Sequence, residues 1–289
     1  MTNVVVALDA HAKLGECPRW DASSKKLYWV DINRFQLHRF DPVTGQDEFL
    51  QFEEEIGCFS LREKGGFVLA MRSGYFLLDG WNTELSKLSD PESDLDKTRF
   101  NDGRCDAKGR LFAGSYYPPK DYDGANLWSL GGDYSVSLIA DDLLTTNGIA
   151  FSPDNTTFYY ADTPKHVIYR CDFDVATGAV SNRSIFKEFP RGLGRPDGAS
   201  VDVEGCYWSA LYEGSRVVRL SPEGEILQEI SVPAKCPTMV AFGDEDMRTL
   251  YITTAGERSE EECKEYPHTG AIFSVRVDVP GLPENLFAG

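Results

Sequence analysis

Four polar side chains recur at one spacing along this 289-residue chain. Each of them precedes an apolar pair typical of a β-strand by ten or eleven residues. The polar residues are Glu16, Asn101, Asn147 and Asp197, and the pairs begin at Leu27, Leu111, Phe158 and Tyr207. If the repeats close into a ring, these side chains converge on its axis. Carboxylate and amide oxygens gathered without His or Cys are the ligands that a hard divalent cation prefers.

The short motifs around these residues admit a second interpretation. Asn-Gly and Pro-Asp-Gly sequences form ordinary turns, because Asn, Asp and Gly tolerate left-handed or tightly turning backbone. Ordinary turns need not share a register at the start of the same strand in different repeats, so we favour a metal site. Two repeats lack a polar residue, since Gly57 and Met239 occupy the corresponding register there.

The elements that must position these side chains repeat six times. Strand openings lie at residues 25–31, 65–70, 108–114, 157–162, 204–210 and 248–253, a spacing of roughly 40 to 50 residues that is typical of four-stranded propeller blades. We predict an all-β fold, a six-bladed β-propeller with a central metal site, in which residues 1–289 form a single domain. A β-sandwich whose turns recur by chance is the alternative.

The two ends of the chain are predicted to share a blade. The apolar run at residues 4–8 is expected to join the last blade beside the strand at residues 271–277. A blade built from both ends closes the ring and hides the sheet edges.

Composition limits the partners and the compartment. The net charge of −17 repels polyphosphate and anionic lipid, so we expect neither a nucleic acid nor a membrane as partner. The N-terminal run is too short for a signal peptide or a membrane span. Seven cysteines, an odd number without a tight framework, indicate reduced thiols. We expect a soluble cytoplasmic protein, and its oligomeric state stays open.

Several catalytic motifs are missing from the sequence. The four histidines show no His-Glu-x-x-His spacing, which excludes a zincin site. No Gly-x-Ser-x-Gly elbow occurs either, which argues against an α/β-hydrolase esterase.

The polar motifs, taken together, resemble those of the regucalcin (senescence marker protein)/gluconolactonase/luciferin-regenerating-enzyme-like family. The resemblance runs nearly from end to end. It is carried by Gly15-Glu16-Cys17-Pro18-Arg19-Trp20, Asn101-Asp102-Gly103, Asn147-Gly148-Ile149-Ala150-Phe151-Ser152-Pro153-Asp154 and Pro196-Asp197-Gly198. It implies a six-bladed propeller with one divalent metal at the bottom of a central pocket, and hydrolysis of sugar-acid lactones.

The resemblance also implies roles for particular residues. The family's metal ligands fall on Glu16, Asn147 and Asp197, and its substrate-binding residues fall on Arg99 and Asn101. Ca²⁺ is the first candidate for the ion, with Zn²⁺, Mn²⁺, Mg²⁺ and Fe²⁺ as alternatives. The segment 114–119 departs from relatives that place acidic substrate contacts there. Tyr116 or Tyr117 is a candidate pocket wall that stacks on a sugar face, although simple packing is an equal alternative.

These roles suggest a chemistry. The metal would draw electron density from the lactone carbonyl, and Asp197 is the first choice for the general base that takes a proton from the attacking water. Two other functions stay open: phosphotriester hydrolysis on the same scaffold, and a non-enzymatic calcium-binding propeller. The substrate partner expected here is a small sugar lactone whose identity the sequence does not specify.

Overall fold

The fold is a ring of six antiparallel four-stranded sheets in a computed structural model that describes residues 3–93 and 97–289. The first strand, β1 (Val5–Leu8), belongs to the last blade. Blade 1 follows it, with β2 (Gly15–Asp21), β3 (Lys26–Asp31), β4 (Gln36–Asp41) and β5 (Gln46–Gln51). Blade 2 contains β6 (Ile56–Leu61), β7 (Phe67–Met71), β8 (Gly74–Leu78) and β9 (Leu85–Ser89).

The remaining blades repeat this meander. Blade 3 contains β10 (Arg99–Cys105), β11 (Leu111–Tyr116), β12 (Ala125–Leu130) and β13 (Val136–Leu143). Blade 4 contains β14 (Thr146–Phe151), β15 (Thr157–Asp162), β16 (Val167–Asp174) and β17 (Ala179–Glu188). Blade 5 contains β18 (Arg195–Val201), β19 (Tyr207–Tyr212), β20 (Arg216–Leu220) and β21 (Ile226–Ser231), and blade 6 contains β22 (Pro237–Gly243), β23 (Thr249–Thr254) and β24 (Ile272–Arg276).

The ring closes where the first and last blades meet. β1 pairs with β24, Val5 opposite Ser274, and completes the sixth sheet. The innermost strand of each blade contacts the innermost strands of both neighbours, β22 against β2 included. The predicted six-bladed propeller is therefore confirmed, and the sandwich alternative is wrong.

Burial falls from the axis outward. All six residues of the inner strand β14 are buried, whereas most residues of the outer strand β17 are exposed. Inner strands lie between two neighbouring sheets, so both of their faces are apolar or hydrogen-bonded. Aromatic side chains fill the space between blades, as where Phe112 of blade 3 packs on Phe151 and Phe158 of blade 4.

A β-bulge interrupts every inner strand near its beginning. The shift in register lies at Glu16/Arg19 in β2, Ile56/Cys58 in β6, Phe100/Gly103 in β10, Asn147/Ala150 in β14, Pro196/Ala199 in β18 and Pro237/Met239 in β22. A bulge bends its strand and re-aims the side chains beside it. The polar residues of the repeated register lie at these bulges, which explains why they share a position without forming ordinary turns.

Few helices occur. Two 3₁₀ turns, η1 (Ile32–Arg34) and η2 (Thr163–Lys165), follow β3 and β15, and the short helix α1 (Glu260–Glu265) is capped by the Ser259 side chain. Within the residues that the structure describes, no helix has both the length and the apolar character that a membrane crossing needs.

The C-terminal segment, residues 277–289, crosses the end of the ring at which the inner strands finish. Its backbone bonds to blade 5 through Leu282 N and Val201 O, and to blade 2 through Phe287 N and Leu61 O. Phe287 is fully buried in the core of blades 1 to 3. The C-terminal segment thus covers part of the central channel at this end.

Candidate active site

The repeated polar register lines one cavity. Glu16, Asn101, Asn147 and Asp197 come from four different inner strands, and all four border a cavity of ≈ 410 Å³ at the end where those strands begin. The other two blades contribute none of these groups. Gly57 allows blade 2 to approach blade 3, because a Cβ there would overlap the carbonyl group of Phe100. Met239 is fully buried beside Gly198.

Two buried carboxylates, Glu16 and Asp197, border this cavity, and the nearby charges of Arg99 and Arg195 offset only part of the penalty against their ionised forms. The Glu16 and Asp197 side chains are more than nine-tenths buried. Burial is the largest cause that raises the pKa of Glu16 well above its ordinary value, and the charges of Asp197 and Asp102 raise it further. Burial and the charge of Asp102 raise the pKa of Asp197 in the same direction. Both groups therefore resist ionisation until a cation compensates them.

The oxygens of these carboxylates are poorly satisfied within the protein. Glu16 Oε2 accepts a bond from the backbone N–H of Cys17 at 3.1 Å. Asp197 Oδ1 is buried and has no hydrogen-bond partner in the described parts of the chain. A buried acceptor without a partner is costly, so a ligand that satisfies it gains free energy.

A chain of hydrogen bonds fixes the orientation of the two amides. Arg99 Nη1 donates to Asn101 Oδ1 at 2.8 Å, and Asn101 Nδ2 donates to Asn147 Oδ1 at 2.7 Å. Asn147 Nδ2 then donates to Thr163 Oγ1 at 2.9 Å, and Thr163 donates to the Pro196 carbonyl at 2.7 Å. We call this chain from Arg99 to the Pro196 carbonyl the amide relay.

The direction of the amide relay follows from its two ends. A guanidinium has only donors, and a backbone carbonyl has only acceptor lone pairs. Thr163 has one hydroxyl proton, which it gives to Pro196, so it must accept from the Asn147 NH₂ group. The Asn147 carbonyl oxygen therefore points away from Thr163 and keeps a free lone pair beside its bond from Asn101.

The predicted substrate residues lie at the cavity wall. Arg99 is buried, its Cζ lies 4.9 Å from the Tyr116 ring centre, and burial lowers its pKa. Its Nε and Nη2 atoms make no hydrogen bond to any described residue. Tyr116 borders the cavity, but Tyr117 points elsewhere. The Tyr117 ring packs on Tyr122 and its hydroxyl donates to Asp121, so Tyr117 takes the packing alternative.

The structure also brings residues to the cavity that sequence reasoning did not identify. They include Glu55, Arg72, Lys120, Thr163, Arg195 and Tyr212. A repeat signal for one pair was present in the sequence: Arg195 precedes Asp197 by two residues, as Arg99 precedes Asn101. Arg99 pairs across the strands with Tyr116 and Arg195 with Tyr212, and each arginine lies over its tyrosine ring. Thr163 gave no comparable signal.

The donor set of the centre fits a hard divalent cation. Glu16, Asp197 and Asn147 offer carboxylate and amide oxygens, and the first two repel each other when ionised. In residues 3–93 and 97–289, no group of three or more His, Cys, Asp or Glu side chains is placed to hold a metal ion. The donor set at Glu16, Asn147 and Asp197 is consistent with this result, because it contains only two such side chains and its third donor is the Asn147 amide.

Comparisons with known proteins identify the family of this chain. The pattern of the SMP-30/gluconolactonase/LRE-like region matches residues 14–256. A 6-deoxy-6-sulfogluconolactonase from Pseudomonas putida is 49% identical over 96% of this chain and 95% of its own. Pentonolactonase XacC from Haloferax volcanii is 36% identical over 97% of each chain.

A solved structure extends the similarity to three dimensions. The structure of a calcium-binding protein, regucalcin, from Agrobacterium tumefaciens gives a TM-score of 0.95 at 26% identity. It covers 100% of this chain and 98% of that one. The family predicted from the sequence motifs is confirmed: this chain belongs to the SMP-30/gluconolactonase/LRE-like family.

Proposed function

We propose that this protein is a metal-dependent hydrolase that opens sugar-acid lactones. One observation carries the proposal: two buried carboxylates of like charge, one with an unpartnered oxygen, converge with an oriented amide in the cavity of a six-bladed propeller. The enzyme class is supported by the relatives from Pseudomonas putida and Haloferax volcanii, since both are named lactonases.

Glu16, Asn147 and Asp197 would hold the metal ion. Ca²⁺ is the first candidate, because it takes carboxylate and amide oxygens, and the similar regucalcin structure is described as calcium-binding. Mg²⁺, Mn²⁺, Zn²⁺ and Fe²⁺ are alternatives that availability would decide. When bound, the ion supplies Lewis acidity that polarises the lactone carbonyl.

Asp197 is the proposed general base. A carboxylate beside the ion is placed to take a proton from the attacking water, and Asp197 Oδ1 is buried without a hydrogen-bond partner among the described residues. Water attacks the carbonyl carbon as Asp197 takes one of its protons, the ring C–O bond breaks, and that proton passes to the leaving ring oxygen, so the product is the open hydroxy acid.

Arg99 and Asn101 are proposed to bind the sugar. Arg99 offers Nε and Nη2, which are not used within the described protein. Both amide hydrogens of Asn101 are already donated, to Thr146 O and Asn147 Oδ1. Asn101 therefore offers the substrate a lone pair of Oδ1, which suits a sugar hydroxyl as donor.

The test is lactone hydrolysis followed by pH-stat after chelation and refilling with each candidate ion. We expect turnover of at least one five- or six-carbon aldonolactone, lost on chelation and restored by metal. Asp197→Asn and Glu16→Gln should each lower turnover by roughly 10³-fold or more, because each removes an ionised group from the centre. Glu225→Gln, which changes an exposed glutamate in a turn, should leave turnover unchanged.

Three outcomes would contradict the proposal. Full turnover by both purified variants would exclude the metal-centred mechanism. Turnover of a fluorophosphate in preference to every lactone would favour phosphotriester hydrolysis. A metal-induced rise in melting temperature without hydrolysis of any substrate would favour a non-enzymatic calcium-binding propeller.

A further inference from the structure

The cavity is rich in positive charge although the protein is acidic. Four cationic side chains, Arg72, Arg99, Lys120 and Arg195, border it, whereas the whole chain carries a net charge of −17. Arg72 is neutralised locally, because its Nε and Nη2 atoms bind both Glu55 oxygens at 2.6 Å. Arg99 belongs to the amide relay. Lys120 and Arg195 are therefore left without a role in the proposed reaction.

Lys120 is a cation without an anionic partner. Its ammonium group makes no hydrogen bond or ion pair with any part of the chain that the structure describes. Nζ lies 5.2 Å from the centre of the Tyr116 ring, so the aromatic face covers one side of the charge. Burial lowers the pKa of Lys120, and the nearby charge of Arg195 lowers it further. Lys120 is an exposed residue, and an anion that contacts both Lys120 and Arg195 would offset the repulsion between their charges.

Arg195 repeats the geometry of the proposed sugar-binding arginine. It pairs with Tyr212 across β18 and β19, and its Cζ lies 5.0 Å from that ring centre. Nη2 lies 3.3 Å from Glu213 Oε2, an ion pair at a partly exposed carboxylate. Nε is buried and has no partner among the described residues. An acceptor from a ligand would satisfy this donor.

We propose that Lys120 and Arg195 form an anion subsite for a sulfonate or phosphate group on the sugar lactone, at the end away from the carbonyl. The proposal rests on the proposed lactonase function. A tetrahedral oxyanion has several acceptor oxygens, so it can bind an ammonium and a guanidinium at once. In the proposed function the carbonyl end lies at Glu16, Asn147 and Asp197, so the proposed subsite would take a charged group at the other end of the substrate.

The test compares three substrates that differ only at the sugar terminus: gluconolactone, its 6-phosphate and its 6-deoxy-6-sulfonate. We expect kcat/KM for one or both anionic lactones to exceed that for the neutral lactone by at least about tenfold at low ionic strength. Lys120→Gln should lower this preference by at least about tenfold, mainly through KM, because it removes a binding charge. Comparison of the two anionic substrates decides between phosphate and sulfonate.

Lys64→Gln is the matched control. Lys64 is an exposed residue in the turn between β6 and β7, and its replacement changes the net charge by the same amount. The control should keep the wild-type preference, which separates local recognition from long-range attraction. Lys120→Arg should retain most of the preference, because the charge is kept.

The outcomes separate this proposal from the one on which it rests. Hydrolysis of no lactone would overturn the proposed function. Hydrolysis of the neutral lactone with no preference for either anionic one, or a preference that survives in Lys120→Gln, would overturn the anion subsite alone.

Discussion

Two groups of buried charges lie along the central channel, and they are built differently. The tail-side cluster consists of Arg19, Asp102, Arg104 and Glu284, in which Glu284 comes from the C-terminal segment. The cavity pair consists of Glu16 and Asp197. Both groups are removed from water, and burying an ionised group costs a large desolvation free energy.

The tail-side cluster is compensated inside the protein. Arg104 donates to Glu284 Oε1 at 2.7 Å and to the carbonyls of Ile149 and Ala199 at 3.0 and 2.9 Å. Asp102 accepts from the N–H groups of Gly103 and Ile149 at 2.7 and 3.0 Å. The cavity pair has like charges and an unpartnered oxygen. We infer that the first group holds the ring together, whereas the second is arranged for a ligand.

The largest stability loss should follow from breaking the tail-side cluster. Glu284→Gln leaves buried Arg104 without its carboxylate and Arg19 with Asp102 alone, so we expect the free energy of unfolding to fall by about 3 kcal/mol. Chemical denaturation measures this loss. A double variant with Arg104→Gln should lose less than the sum of the two single losses, and strict additivity would contradict a coupled pair.

A change in the amide relay should weaken metal binding without changing any charge. Thr163→Val removes the hydroxyl that orients Asn147, and we expect metal affinity to fall by roughly 10- to 100-fold, as for other groups that orient a ligand. Calorimetric titration of the chelated protein measures the affinity. Thr163→Ser keeps the hydroxyl and should bind like wild type; equal affinity for the valine variant would show that the relay is dispensable.

Neutralising a carboxylate of the cavity pair should raise the free energy of unfolding, whereas the same change in the tail-side cluster should lower it. In chelated protein near pH 7, burial and the neighbouring carboxylates penalise ionised Glu16, so we expect the neutral Glu16→Gln replacement to raise the free energy of unfolding by about 1 kcal/mol. That corresponds to a rise in melting temperature of about 2–4 °C. The same variant should lose most of the metal-induced rise seen in wild type. A destabilised chelated variant would contradict an uncompensated pair.

The smallest effect concerns pH. Because the pKa of Glu16 and of Asp197 is raised in the folded state, the unfolded chain releases these protons at lower pH than the folded protein. The chelated protein should therefore lose stability as pH rises above about 4, toward the raised folded values, and metal should stabilise it more at higher pH. Melting curves with and without metal test this, and Glu16→Gln should flatten the dependence. If stabilisation by metal became smaller as pH rises, the assigned direction of the pKa shifts of Glu16 and Asp197 would be wrong.

The ring and the convergence of its polar register were predictable because both rest on repetition. A position that recurs before six similar strands must recur in space when those strands surround one axis. The Arg-Tyr pair of blade 5 was predictable in the same way, because it copies the pair of blade 3.

Other features of the site depend on contacts without a local pattern. Thr163 lies in a 3₁₀ turn after the second strand of blade 4, and it reaches the site only because Pro196 of blade 5 approaches it. Glu284 lies in an irregular segment, and no periodic pattern in the sequence predicts the path of that segment over the channel. The orientation of Tyr117 is set by Tyr122 and Asp121, on the same loop but away from the cavity.

The amide relay has a consequence for how the centre responds to its surroundings. A guanidinium, two amides, a hydroxyl and a carbonyl neither gain nor lose a proton near neutral pH. Acidification therefore changes the charge of the centre while its amide oxygen keeps the same direction. The amide relay therefore fixes the geometry of the centre independently of pH, whereas protonation of Glu16 and Asp197 changes its charge.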